Sequence, residues 1–207
     1  SNFAQLNMNR IESGLTGNIT YSIHPQEHAS DNLTLIENID AQKYTVESAK
    51  KFYPGKTIWV SPVTIQRRFN ANIENYENAI SGKQKSAQVD CRLMSLFGAV
   101  WACGSLKKLS IAGAAGITYY ETAGERGIIQ GDYQTKWPEF FFAAKGMIFP
   151  TYFIFKFILG DKTFRILKSE TSDRLLTDNI ILTDGLKAKM LIVNYTDVIQ
   201  KVKIPEW

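Results

Sequence analysis

The stretch GAAGITYYETAGERGIIQGDY, residues 113–133, decides how the chain is read. A short β-prone run from Gly116 to Tyr120 stops on a carboxylate, Glu121, and continues directly into a loop holding Glu125, Arg126 and further glycines. Parallel strands deliver such polar residues to their carboxyl ends, where ligands of open and closed α/β sheets sit. At that position Glu121 has two readings. It is a base or an acceptor for a ligand hydroxyl, or it is a structural carboxylate paired to Arg126 or to an adjacent strand. Gly124 and Gly127 would let a ligand come close to the backbone.

Working outward, two upstream segments share one plan. NITYSIHPQEHASD (18–31) opens β-prone and ends polar, and NLTLIENIDAQKYTVESAKKF (32–52) sets Leu33, Ile36, Ile39, Tyr44 and Val46 among charges, which predicts an amphipathic helix. TIWVSPVTIQRRF (57–69) repeats the order, with a longer polar connection to DCRLMSLFGAVWACGSLKKLSIAG (90–113). There Asp90 is the expected N-cap, Leu93, Leu96, Phe97, Val100 and Trp101 the apolar face, and Gly113 the stop. A third pass runs from residue 116 through a loop to the helix PTYFIFKFIL (150–159), whose Pro150 suits a first turn. Three strand-loop-helix units predict an α/β fold with a parallel sheet. After Gly160 the runs KTFRILKSE, NIILTDG, KAKMLIVNYTD and VIQKVKIP predict antiparallel strands, with a turn at Asp184-Gly185. Residues 1–160 and 161–207 are accordingly expected as two units.

Composition narrows the function classes. The chain has 207 residues, 44% of them hydrophobic, enough to bury a core. Its net charge of +4 is scattered, so no basic stripe for nucleic acid is expected. The apolar run FFFAAKGMIFPTYFIFKFIL is interrupted by Lys145, Pro150 and Lys156, which favours a buried helix over a membrane span. Cys91 and Cys103 would lie roughly 18 Å apart along one helix, too far for a disulfide. Free thiols suit a reducing compartment, and a cytoplasmic location is expected. Sequons at Asn18, Asn32 and Asn194 are weak matches.

Other side chains fall at the same strand ends. His24 and His28, the two histidines, share one post-strand loop with Gln26 and Glu27. Pro25 opposes a helical metal pair and no third ligand is apparent, so no metal and no cofactor are expected. His28 reads as an acid-base group or hydroxyl donor, or as a satisfied loop histidine. Ser61 and Thr64 suit hydrogen bonding to a polyol, and no G-x-S-x-G elbow makes Ser61 a nucleophile. Arg67 or Arg68 could grip a carboxylate, or stand exposed. Of Tyr119 and Tyr120, alternation sends only one to the sheet face opposite the helices, and Trp101 reads as core. Tyr119 is the stacking candidate.

Taken in order, YSIHPQEHASD (21–31), AQKYTVESAK (41–50), VSPVTIQRRFN (60–70), QVDCRLMSLFGAVWACGSLKKL (88–109) and ITYYETAGERGI (117–128) resemble the D-apionate lactonase family, strongly to about residue 160 and more weakly in the tail. The resemblance implies a (β/α)8 TIM-type barrel, similar to clan A glycoside hydrolases, with flanking β-domains. It implies hydrolysis of the lactone of a branched sugar acid. It further implies that this chain holds only the last strand-helix units of the barrel, the sixth to eighth strands, and part of a C-terminal β-domain. Two positions depart from the pattern: His24 stands where asparagine is expected, and Glu125 follows Thr122-Ala123-Gly124 where tryptophan or a similar residue is expected. With Gln26 and Thr122 they are expected to bear on substrate choice.

Three strand-helix units cannot close an eight-stranded barrel, so a missing N-terminal portion or a second copy is expected to complete it. The partner class is a small sugar-acid lactone or another carbohydrate. A glycoside hydrolase and a noncatalytic carbohydrate-binding or assembly module are the alternatives.

Overall fold

The structure, a computed structural model, describes residues 2–11, 17–26, 28–66, 88–160 and 164–204. Its first half is a parallel sheet. β1 (Ile19–Ile23), β2 (Ile58–Val63) and β3 (Gly116–Tyr119) lie side by side in that order, both pairs parallel. Alternation puts Ile19, Tyr21, Ile23, Ile58 and Val60 on the face that meets the helices, and a shift in register between Val60 and Val63 brings Val63 to the same face. Trp59 instead points to the other face, where a Cβ at Gly116 would collide with its indole ring.

α2 (Asn32–Phe52) is started by Asp31, whose side chain accepts from Thr34 N at 2.9 Å. Its buried stripe is Leu35, Ile36, Ile39, Val46 and Ala49. Leu33 and Tyr44, expected on that stripe, are 57% and 56% exposed. The turn after Asp31 sets the helix phase, and this phase turns both outward.

The predicted helix from residue 90 is two pieces. Asp90 caps a 3-10 turn, Cys91–Met94, and Ser95 then caps α3 (Leu96–Ile111). The break rotates Leu96, an expected core residue, to 70% exposure, while Leu93 and Trp101 stay buried. Gly113, at φ 81°, ends the helix as expected, and Ala114 N–H donates to Leu109 O.

α3 is apolar on nearly every side, which requires burial from two directions. Trp101, Ala102 and Leu109 join the parallel sheet's core, and the Trp101 indole N–H donates to Leu35 O at 3.1 Å. Ala99, Val100 and Cys103 face a second core with Ile154, Ile180 and Val193. That second core is built by α4 (Pro150–Leu159) and an antiparallel sheet, β4 (Arg165–Leu167), β5 (Thr177–Thr183) and β6 (Ala188–Asn194), ordered β4-β5-β6. The Asp184-Gly185 turn joins β5 to β6, with Gly185 at φ 97°. Residues 198–204, read as β-prone, form no strand. α4 is less buried than its sequence suggests: Ile154 is inside, but Phe153 is 55% exposed. A short helix, α1 (Phe3–Met8), precedes β1, and Asn2 bridges Ser22 in parallel sense.

The sequence-predicted α/β class with parallel sheet and separate antiparallel sheet is present, and the described residues do not close a barrel. Cys91 and Cys103 are free thiols. Among the described residues no helix is long and apolar enough to cross a membrane.

An ion pair ties α3 to the second sheet. Lys107 Nζ lies 2.5 Å from Asp178 Oδ1, with side chains only 2% and 4% exposed. Removing one partner would leave a buried charge uncompensated. Lys107→Met is expected to lower stability by about 3–5 kcal/mol, and Lys107→Met with Asp178→Leu to recover most of it, as read from urea midpoints. A single variant costing under about 1 kcal/mol would contradict this role for the pair.

Candidate functional site

Polar side chains collect where β1, β2 and β3 end. Past β1, Gln26 Nε2 donates to Ile65 O at 2.9 Å and to Asp90 Oδ2 at 2.7 Å, so one amide ties the ends of two strands to the start of the next helical segment. Asp90 is buried and also takes two bonds from the Arg92 guanidinium, Nε at 2.8 Å and Nη2 at 2.6 Å. Burial alone would raise its carboxyl; the hydrogen bonds and charge of Arg92, with Gln26, outweigh it and hold the group below its ordinary 3.8.

Past β3, Tyr120 adopts φ 53°, the one non-glycine residue with positive φ among those described. The chain turns there, and Glu121 follows on the loop. Its Oε1 lies 3.0 Å from Arg126 Nη2, and its backbone N–H donates to Arg126 O at 2.8 Å. Arg126 Nη1 also donates to Gln88 Oε1 at 2.5 Å. A small cavity of about 20 Å³ lies against Arg126, lined by Thr64 and Gln66 past β2, by Asp90, and by Tyr120.

The expected residues separate into several places. Thr64 is buried at the small cavity, its backbone N–H donating to Ile23 O at 3.2 Å. Glu121 stands beside it through Arg126. His24 and His28 line a different, larger cavity of about 460 Å³, between the end of β1, α2 and Phe3 of α1. Ser61 Oγ and Thr118 Oγ1 are 2.6 Å apart on the sheet face away from the helices. Tyr119 lies on the helix side: its hydroxyl meets Ser105 Oγ of α3 at 2.8 Å and its ring tilts against Phe155. Thr122 is exposed, and its carbonyl accepts from Ile128 N. Glu125 is buried and accepts from Lys136 N at 3.1 Å and Tyr133 Oη at 3.3 Å, which shapes the loop. Arg67, Arg68 and Glu27 lie outside the described residues.

Sequence reasoning had not weighed Gln66 and Gln88 for this edge, had passed over Tyr120 in favour of Tyr119, and had treated Asp90 as a cap alone. Gln66 and Gln88 flank the long polar connection, a position that could have flagged them. A tyrosine at positive φ carries no such signal. Among the described residues no group of three or more His, Cys, Asp or Glu side chains could hold a metal ion. The arrangement offers a carboxylate, a guanidinium and neutral hydrogen-bonding groups, suited to proton transfer and to binding oxygen-rich ligands.

The Asp90 network has a testable acid limb. With the folded value below 3.8, the network's contribution is complete above 3.8 and is lost as pH falls through the folded value. Urea midpoints between about pH 6 and pH 3 are expected to fall less steeply in Asp90→Asn than in the parent. Identical slopes would contradict the network's role.

A conserved exported protein from Bacteroides fragilis, of known crystal structure, matches with a TM-score of 0.47 and 12% identity, over 86% of this chain and 36% of that one. The chain thus spans about a third of that protein's length. No curated protein matches the sequence. The family model described as D-apionate lactonase, TIM barrel domain, matches residues 1–162. On that match, the chain belongs to the D-apionate lactonase family through its TIM barrel domain.

Proposed function

We propose that this chain is the last strand-helix portion of a barrel enzyme that hydrolyses a sugar-acid lactone, with Glu121 at the reacting centre. The observation that carries the reading is the Glu121–Arg126 pair beside a small cavity at the carboxyl ends of β2 and β3. Family membership over residues 1–162 supports it.

Lactone hydrolysis needs an activated water and a proton for the departing alkoxide. Glu121 accepts a proton from water as the water oxygen attacks the acyl carbon. The ring C–O bond then breaks, and the same proton passes to the alkoxide, leaving the free hydroxy acid. Arg126 provides positive charge where the carbonyl oxygen becomes negative. Thr64 contributes a hydroxyl for substrate binding, and Ser61 on the interior face a second. His28 and His24 contact more distant parts of a ligand. No cofactor enters these steps.

Further strands complete the barrel. Parallel sheets are normally covered on both faces, yet Thr20, Trp59 and Thr118 stand exposed on the face away from the helices. The parallel bridge from Asn2 to Ser22 supports a further strand running beside β1 in the same direction. A second copy or an upstream portion of the polypeptide would supply it.

The end of β2 presents Thr64 and Gln66 in place of a carboxylate, which favours a lactonase over a paired-carboxylate glycosidase. The test uses the full-length parent protein with sugar-acid lactones and with aryl glycosides. Acid release is expected, reduced roughly 100-fold or more in Glu121→Gln with an unchanged melting temperature. Phenol release, or acid release indifferent to Glu121→Gln, would contradict the proposal.

A further inference from the structure

The cavity beneath Arg126 has an unusual lining. At about 20 Å³ it has room for one water or one hydroxyl group. Tyr120, only 7% exposed, has a buried hydroxyl with no hydrogen-bond partner among the described residues, and Gln66 Oε1 is likewise buried without one among them. Asp90, on another wall, is already committed to Gln26 and Arg92. Two buried, unpaired polar atoms in a native fold are costly unless something binds them.

The pair is complementary to a group that both accepts and donates, a water or a ligand hydroxyl. A phenol O–H donates, a carboxamide oxygen accepts, and a ligand hydroxyl does both in return. A carboxylate ligand could not donate to Gln66, and an ammonium, although it could donate to both oxygens, would leave the Tyr120 O–H without an acceptor. Burial raises the Tyr120 phenol well above its ordinary 10, with Tyr119 and Asp90 adding to the rise, so it remains a donor. The strained φ of 53° is what turns this side chain from the strand into the cavity wall.

We infer that Tyr120 and Gln66 form a subsite for a single hydroxyl of the substrate, one step from the Glu121–Arg126 pair. This deepens the lactonase reading and rests on it: the subsite selects hydroxylated lactones over bare ones. Tyr120 and Gln66 bind the substrate and take no part in proton transfer.

The experiment uses the full-length protein, as parent, Tyr120→Phe and Gln66→Met. Melting temperatures come first. Tyr120→Phe removes an oxygen with no partner among the described residues and is expected to leave the melting temperature unchanged or higher. Then kcat/KM is measured on a branched sugar-acid lactone and on unsubstituted γ-butyrolactone, with calorimetric Kd for the open-chain sugar acid. Each variant is expected to lose roughly 10-fold on the hydroxylated lactone and in sugar-acid affinity, and less than about 2-fold on γ-butyrolactone. Equal losses on both lactones, or none on either, would overturn the subsite. If the parent hydrolyses neither lactone, the lactonase reading fails and the sugar-acid Kd alone decides. A 10-fold weakening in whichever variant folds then sustains the subsite, and unchanged or absent binding removes it.

Discussion

Burial of α3 from two sides is the constraint on which the rest depends. A helix carrying Trp101, Ala102 and Leu109 on one side and Ala99, Val100 and Cys103 on another cannot be satisfied by one sheet. The parallel sheet covers the first side and the antiparallel sheet with α4 covers the second. Small residues make this close packing possible: a Cβ at Gly104 would meet Ile39 of α2 at 3.1 Å. Fixing α3 fixes β3 after it, because Gly113 reverses the chain and Ala115 N–H bonds to Ile58 O of β2 at 2.8 Å. The carboxyl end of β3, with Tyr120 and Glu121, is thereby placed beside the end of β2.

Electrostatics then organises that edge. Arg92 and Arg126 each hold a carboxylate and a neutral partner, but in different settings. Asp90 is buried and fully engaged by Arg92 and Gln26, so it reads as a brace between strand ends. Glu121 and Arg126 are 35% and 40% exposed, open to a ligand from the solvent side. A buried brace beside an accessible ion pair is an arrangement in which the exposed groups are held rigidly by their supports.

Much of the architecture was legible in the sequence because it rests on period and punctuation. The β-prone runs at 19–23 and 58–63, Pro150 in a first turn, Gly113 as a stop and Asp184-Gly185 in a hairpin are local signals, and each feature is present. What failed depended on phase. Leu33, Tyr44 and Leu96 are apolar and well spaced, yet the helix start at Asp31 or the break at Ser95 decides which way they face. The site was legible only by position. Glu121 and Thr64 fall at strand ends and could be named, whereas the Tyr120 side chain reaches the cavity through a backbone conformation that its sequence does not announce. Tyr119 and Tyr120 illustrate the limit: strict alternation sends one to each face, but the turn at residue 120 leaves Tyr120 buried beside the partly buried Tyr119, and their rings lie 5.6 Å apart.

The central claim is that this carboxyl edge receives the substrate. The most direct measurement is a crystal structure of the full-length protein with a sugar acid, the expected product, bound. The account predicts its carboxylate at Glu121 and Arg126 and one of its hydroxyls between Tyr120 and Gln66. A sugar acid lodged at the opposite ends of the strands, or within the larger cavity beside α1 and away from Glu121, would contradict it.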